Sequence, residues 1–146
     1  MERKILNTKE AKRVFEKLDE QFGINVKVDL GVLKDKHGKL FLITKDINKV
    51  DFSKLRINEL GLYFAKDSSE IRLTIEGTQL FGEHATKNVH EVHKSDAYFW
   101  MTGEDISCSK DYNGFVIIKH KDDYLGCGKC KENKIINFIP KERRIK

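Results

Sequence analysis

The opening stretch of the chain carries the clearest hydrophobic pattern, that of an amphipathic helix. Residues 8–22 place an apolar side chain every three or four positions and charged side chains on the opposite face, which is the period of an α-helix with one buried side. Asn7 and Glu10 have the spacing of a capping box, and Gly23 stands where a left-handed residue ends a helix. The pattern therefore predicts a helix over residues 8–22. Its apolar stripe consists of Ala11, Val14, Phe15, Leu18 and Phe22.

The remainder of the chain is typical of short strands separated by glycine turns. Residues 26–30 alternate apolar and polar side chains, residues 35–38 have the composition of a turn, and residues 40–43 are apolar, so a hairpin is predicted. Two short helices are expected, one around residues 52–55 and one over residues 96–102, the latter capped by Ser95 and stopped by Gly103. Further strands are predicted at 62–65, 71–75, 116–118, 124–125 and 135–139.

These elements predict an α+β protein of two parts joined without a linker. Residues 1–62 hold the first helix and the hairpin, so they are interpreted as a small α/β domain. Residues 63–146 hold many short strands and one short helix, which favours a small open barrel over a parallel sheet. A length of 146 residues suits either one domain or two very small ones.

Charge is distributed unevenly along the chain. The net charge is +5, and the segment from Lys129 to Lys146 carries the whole of it, with seven cations against Glu132 and Glu142. A basic segment on a neutral body is what a phosphate-contacting surface needs. A solvated terminal tail is the alternative. The cations are Lys129, Lys131, Lys134, Lys141, Arg143, Arg144 and Lys146.

The basic segment is interleaved with apolar strand residues. On a strand, Lys134, Ile136 and Phe138 face one way and the residues between them face the other. Pro140 ends the strand, and Arg143 and Arg144 follow it. Guanidinium groups suit bidentate phosphate recognition and stacking on bases. The segment therefore has features of a phosphate-binding surface that a solvated tail does not need.

Catalytic and metal-binding motifs are weak. Cys127 and Cys130 form a single C-x-x-C, which we interpret as packing, with a zinc site and a redox pair as lesser alternatives. His90 and His93 face opposite ways on a strand and are expected to be exposed polar residues. No nucleophile elbow or phosphate-binding glycine loop is found, so neither catalysis nor a cofactor is expected. Three cysteines and an N-terminus without a long apolar stretch predict a cytoplasmic protein, away from membranes.

A family resemblance emerges at the C-terminal end. Residues 124–128 (YLGCG) followed by 135–144 (IINFIPKERR) resemble the end of the PUA-like domain of Sun-type RNA cytosine-C5 methyltransferases, where an LG-x-G strand precedes an N-[YF]-[LIV]-P-K-x-R-R terminus. Residues 60–64, 75–82 and 85–89 are similar to the same domains. The order of parts is similar to small ribosome-biogenesis proteins with a pre-PUA domain before a PUA domain. The chain departs from the methyltransferases in its cysteine pair, and 146 residues are too few for their catalytic domain.

The resemblance implies a six-stranded pseudobarrel, preceded by a pre-PUA-like domain, that binds structured RNA, either tRNA or rRNA. The leading hypothesis is a stand-alone RNA-binding module of RNA modification or ribosome biogenesis without catalysis of its own. The alternative is an adaptor that docks a separate RNA methyltransferase or pre-ribosomal proteins through Tyr98, Phe99 and Trp100, although core packing is the expected role of Phe99 and Trp100. An enzyme that uses the cysteine pair with a metal ranks third. The predicted RNA contacts are Lys129, Lys131, Lys134, Lys141, Arg143 and Arg144, with Gly103 allowing close approach of the RNA.

Overall fold

Two sheets build the fold, and the computed structural model describes residues 3–43 and 61–146. Within these residues the first sheet has five strands in chain order, all antiparallel. They are β1 (Arg3–Ile5), β2 (Gly31–Asp35), β3 (Lys39–Ile43), β4 (Leu62–Asp67) and β5 (Ile71–Leu73).

The second sheet has five described strands in the order β6-β8-β9-β10-β7, with β6 parallel to β8 and the other pairs antiparallel. They are β6 (Val89–Glu91), β7 (Ile106–Ser107), β8 (Phe115–His120), β9 (Asp123–Lys131) and β10 (Lys134–Asn137). The helices are α1 (Thr8–Phe22), α2 (Ile75–Phe81) and α3 (Lys94–Met101), and 3-10 turns occupy Gly82–His84 and Lys141–Arg143. The predicted α+β class is confirmed. None of the described helices has the length and apolar character needed to cross a membrane.

Helix α1 forms where its pattern predicts it. The Asn7 side chain accepts a hydrogen bond from the Glu10 backbone N–H at 2.8 Å, and the Glu10 carboxylate accepts one from the Asn7 N–H at 3.1 Å, which completes the capping box. Gly23 ends the helix with φ 65°. The loop before β6 closes the same end, because the N–H groups of Thr86 and Lys87 donate to the Phe22 carbonyl at 2.9 and 3.2 Å.

The main core lies under α1 and joins the two sheets. Leu18 and Phe22 are fully buried in one cluster with Phe64 of β4 and Ile117 of β8. A second cluster covers the other face of the second sheet around Trp100 of α3, which is also fully buried. Strand β8 is therefore apolar on both faces, since consecutive strand residues point to opposite sides.

The first sheet crosses the predicted domain boundary between residues 62 and 63. Strand β4 pairs with β3, with Leu40 opposite Ala65, and β5 pairs with β4, with Lys66 opposite Arg72. The division into domains itself stays a prediction. The helix predicted around residues 52–55 lies outside the described residues.

The strands of the N-terminal part differ from the prediction at two places. Residues 26–30 do not form a strand; the strand of the hairpin is β2, and the turn at 35–38 then leads into β3 as predicted. Val26 and Val28 are partly buried against the main core, so the alternation reflects one buried face without ladder pairing. Strand β1 was not predicted, because three residues are too few to show a period.

Both later helices correct the sequence prediction. The strand predicted at 71–75 ends at Leu73, because the Thr74 hydroxyl accepts from the Gly77 N–H at 3.0 Å and caps α2. Helix α2 was not predicted. Helix α3 begins at Lys94 after His93, so Ser95 is not its cap. The C-terminal part thus has two described helices in place of one.

Candidate nucleic-acid interface

The tip of the β9–β10 hairpin presents two of the predicted cations side by side. Glu132 and Asn133 form the turn, both with left-handed backbones (φ 51° and 65°), which is the geometry of a type I′ hairpin. Lys131 and Lys134 are exposed and directly opposite each other in the strand register. Like charges in such a cross-strand pair repel, so an anionic ligand would relieve the repulsion.

Beyond the hairpin, Asn137 ties the chain to the end of α3. Its side-chain amide donates to the carbonyls of Trp100 and Glu104 at 2.8 and 2.9 Å, and its side-chain oxygen accepts from the Ile139 N–H at 2.8 Å. The strand therefore ends at Asn137, before Pro140 and two residues earlier than predicted. These bonds give the Asn of the N-F-I-P motif a structural role and fix the direction in which the basic terminus leaves the sheet.

Gly103 and Arg144, both predicted RNA contacts, contact each other. Gly103 has φ 98°, and a Cβ there would lie 2.5 Å from the Arg144 side chain. The Arg144 Nε donates to the Ile139 carbonyl at 3.0 Å. The close neighbour that Gly103 accommodates in the structure is therefore an arginine of its own chain, and an approach of RNA to Gly103 remains a prediction.

Two other predicted cations are paired with carboxylates that lie earlier in the chain, on either side of β5. Arg143 lies 2.8 Å from a Glu76 carboxylate oxygen at the start of α2. Lys129 lies 2.8 Å from Glu70 and also sits over the Phe115 ring, 5.5 Å from its centroid. Lys141, in the last 3-10 turn, is exposed. The predicted set is thus spread over the hairpin tip, the edge of a groove and the terminal turn.

That groove is the concave feature nearest to the basic segment. It encloses about 430 Å³ between the first sheet, α2 and the chain after β10. Arg143 lies at its rim with Lys39, Tyr63, Arg72 and Phe138. The groove therefore brings one predicted residue together with four that the basic-segment pattern did not assign to the site.

Cations lie over aromatic rings at three places in or beside the groove. The Arg72 guanidinium lies 5.0 Å from the Phe138 ring centroid, and the Lys39 ammonium lies 5.3 Å from that of Tyr63. Phe138 packs edge-on against Phe115 at 5.5 Å, and its side chain is 37% exposed. We call Lys39, Tyr63, Arg72, Phe115, Lys129 and Phe138 the cation–aromatic band. Such a surface offers both stacking faces for bases and positive charge for phosphates.

Tyr63 is the titratable aromatic residue of the band, and burial affects its protonation. Burial raises the pKa of the Tyr63 hydroxyl above its ordinary value, with Asp35 acting in the same direction and Arg72 against it. Tyr63 is therefore a neutral hydrogen-bond donor at physiological pH. Sequence reasoning missed Lys39, Tyr63 and Arg72 because they come from three different strands, and only the pairing of the first sheet brings them to one face.

The cysteine and histidine candidates do not converge. Cys127 packs in the main core, whereas Cys130 packs against the Trp100 cluster on the other face of β9. The nearer thiols are Cys108 and Cys130, which both contact the Lys110 carbonyl oxygen. His90 meets the Tyr112 hydroxyl at 3.0 Å, and burial lowers its pKa below the ordinary value. Within residues 3–43 and 61–146, no group of three or more His, Cys, Asp or Glu side chains is arranged to hold a metal ion.

Solved structures define the class of fold. The conserved PUA domain protein from Thermoplasma acidophilum superimposes with a TM-score of 0.62, covering 94% of this chain and 93% of that one at 14% sequence identity. The fold is therefore PUA-like, as the sequence resemblance implied. The second sheet and α3 lie within residues 87–145, the segment that matches a family model.

Sequence comparison narrows the resemblance. Residues 87–145 match the family described as the methyltransferase RsmF PUA domain. The chain is 27% identical over 139 residues to the ribosomal RNA small subunit methyltransferase F of Aeromonas salmonicida (strain A449) and 28% identical over 139 residues to that of Aeromonas hydrophila. Each alignment covers 94% of this chain and 28% of the relative. The resemblance to the PUA-like domain of these RNA methyltransferases is confirmed, and the chain spans about a quarter of their length.

Proposed function

We propose that this chain is an RNA-binding module that recognises structured RNA, tRNA or rRNA, in RNA modification or ribosome biogenesis. The observation that carries the proposal is the cation–aromatic band, four members of which (Lys39, Tyr63, Arg72 and Phe138) line a groove beside the basic terminus of a PUA-like fold. Ribosomal RNA is the favoured ligand, because the relatives are named as ribosomal RNA methyltransferases. We infer that these residues bind RNA without catalysis of their own and do so in the cytoplasm.

The proposed contacts divide by chemistry. Lys131, Lys134 and Lys141 are exposed and would contact phosphates, as would Arg143, Arg144 and Lys129 from their partly paired positions. The exposed face of Phe138 would stack on an unpaired base, since RNA recognition favours splayed bases on aromatic rings. Gly103 would contribute by holding Arg144 close to the backbone.

Fluorescence anisotropy of a labelled rRNA fragment and of tRNA, measured over a range of salt concentrations, tests the proposal. Affinity should fall with a slope of roughly −0.7 to −0.9 in log K against log salt for each phosphate contact. A Lys131→Gln/Lys134→Gln/Lys141→Gln variant should make the slope less steep by about 2. Phe138→Ala should weaken binding about 5- to 100-fold, as expected for a lost stacking platform.

The matched control removes three exposed lysines elsewhere, Lys12→Gln/Lys87→Gln/Lys94→Gln. It has the same change in net charge and should bind RNA with nearly the wild-type slope. If the control lost as much affinity for RNA as the Lys131/Lys134/Lys141 variant, the attraction would be non-specific. Absence of binding by the wild type at about 50 mM salt, where phosphate contacts are strongest, would refute the RNA-binding function.

A protein-docking adaptor is the second candidate, favoured by one pair of exposed aromatic rings. Trp100 is fully buried as expected, but Tyr98 and Phe99 are 52% and 50% exposed on α3, so the expected core role of Phe99 is wrong. Exposed aromatic residues are enriched at protein interfaces. An adaptor would lose its partner in a Tyr98→Ala/Phe99→Ala variant while keeping its affinity for RNA.

A further inference from the structure

A second groove lies in the N-terminal half, between α1 and the end of the first sheet. It encloses about 730 Å³ and shares no lining residue with the groove beside Phe138. Its walls come from β1, α1, the β2–β3 turn and the end of β4. We call it the α1 groove, and it is lined by Arg3, Lys4, Leu6, Lys9, Glu10, Arg13, Val14, Lys17, Lys34, Asp35, Lys36 and Asp67.

Cations stand on both sides of the α1 groove. On the helix side, Lys9, Arg13 and Lys17 recur every four residues, so they form one stripe along α1 with a rise of about 6 Å per step. On the sheet side, Lys4 faces Lys34 across the β1–β2 pairing, and Lys36 follows in the turn. Two rows of positive charge therefore flank one channel.

The acidic residues of the α1 groove are already occupied within the chain. The Asp35 carboxylate accepts from the N–H groups of His37 and Lys39, both at 2.9 Å, and holds the hairpin turn. Glu10 caps α1 and pairs with Lys4. These carboxylates complete the local fold, so they leave less negative charge to balance the cations.

Asp67 is occupied as well, since it pairs with both Lys17 and Lys34. Seven cations thus line the groove against three carboxylates. Among the described residues, Lys9 and Lys36 form no ion pair, and the buried Arg3 Nε has no hydrogen-bond partner. The groove retains donors and positive charge for an external anion.

The lining of the α1 groove determines which part of a nucleic acid it fits. None of its lining residues is aromatic, in contrast to the cation–aromatic band, so it offers no ring on which a base can stack. Lysine ammonium groups act on phosphate as point charges. A surface of this kind positions a nucleic acid without reading its bases.

We propose that the α1 groove binds the phosphodiester backbone of the same RNA, as a second contact surface that is independent of base sequence. This inference rests on the proposed RNA-binding function. The band would then select unpaired bases, and the α1 groove would hold the flanking backbone and set the orientation of the bound RNA.

The test uses a Lys9→Gln/Arg13→Gln/Lys36→Gln variant of the full chain, with the labelled rRNA fragment as probe. All three side chains are exposed, and thermal unfolding of the variant checks that the fold is retained. Loss of three phosphate contacts should make the salt slope less steep by about 2. Arg13 forms ion pairs with Glu16 and Glu20 on α1, so a double variant, Lys9→Gln/Lys36→Gln, leaves these pairs intact and should change the slope by about 1.4.

Two comparisons separate this inference from the proposed function. The Lys12→Gln/Lys87→Gln/Lys94→Gln control should keep the wild-type slope. The groove variant should lower the affinity for a scrambled RNA of the same length by the same factor as it lowers the affinity for the native fragment. If Phe138→Ala weakened RNA binding but the groove variants bound RNA as well as the control does, the second contact alone would be overturned. A wild type that binds no RNA would overturn both.

Discussion

Cys127 and Cys130 stand three positions apart on β9, so their side chains leave the strand on opposite faces. Burial raises the pKa of the Cys127 thiol to about 12, whereas Cys130 is partly exposed. The thiolate is the reactive form of cysteine. Because both residues lie on one strand, this spacing separates the two thiols, and each packs in a different core cluster.

Alkylation of the native protein checks this difference in environment. Iodoacetamide at pH 8 should modify Cys130 first, and Cys127 should react at a comparable rate only after unfolding in denaturant. Cys108 should also be slow, since burial raises its thiol pKa. Mass spectrometry of the labelled peptides reads out the three sites, with Cys130→Ser as the control that removes the fast one. Early labelling of Cys127 in native protein would contradict the buried placement.

At the scale of elements, the terminal segment depends on Asn137. Three side-chain hydrogen bonds connect it to the end of α3 and to Ile139. Each such bond contributes about 1 kcal/mol net. Asn137→Ala should therefore lower the free energy of unfolding by about 2–3 kcal/mol, measured by urea denaturation.

Asn113→Ala is the matched control for that measurement, because Asn113 is exposed. This substitution should lower the free energy of unfolding by less than about 0.5 kcal/mol. The Asn137 variant should also bind RNA more weakly than its stability loss alone explains, since the basic terminus loses its direction. Equal stability of the two variants would show that the terminus is held by other contacts.

How far the sequence predicts an element depends on the length of its pattern. Helix α1 has four turns of apolar stripe and both caps within the segment, so its limits follow from local residues. Helix α2 has seven residues and follows a strand directly, so its period is too short to separate from the strand pattern. The site shows the same rule, because the basic terminus is contiguous in sequence while Lys39, Tyr63 and Arg72 meet only through sheet pairing.

For the whole molecule, the shared core bears on the predicted boundary between residues 62 and 63. Phe22 of α1 lies in the same cluster as Ile117 of the second sheet, while the only tryptophan, Trp100, lies in the other cluster. Phe22→Ala should lower the free energy of unfolding by about 3–5 kcal/mol. If the chain unfolds as one unit, Trp100 fluorescence and far-UV circular dichroism should shift to the same lower denaturant midpoint.

The control for this experiment is Leu30→Ala, since Leu30 is 40% exposed and outside the core clusters. It should leave both midpoints close to those of the wild type. A Phe22→Ala protein whose Trp100 transition stays in place while the circular dichroism shifts would show two independently unfolding parts and would support the predicted domains.

The closure of α1 by the loop before β6 has a consequence for synthesis of the chain. The Phe22 carbonyl accepts from Thr86 and Lys87, and Asn88 donates through its side chain to the Gln21 carbonyl. A growing chain that has reached only the first hairpin therefore has a helix whose apolar stripe is covered by β2 and β3 alone and whose last carbonyls are bonded only by water. Since ordered contacts so distant in sequence form late, the α1 half should become protected from proteases on the ribosome only after residue 88 and the β8–β9 hairpin have emerged.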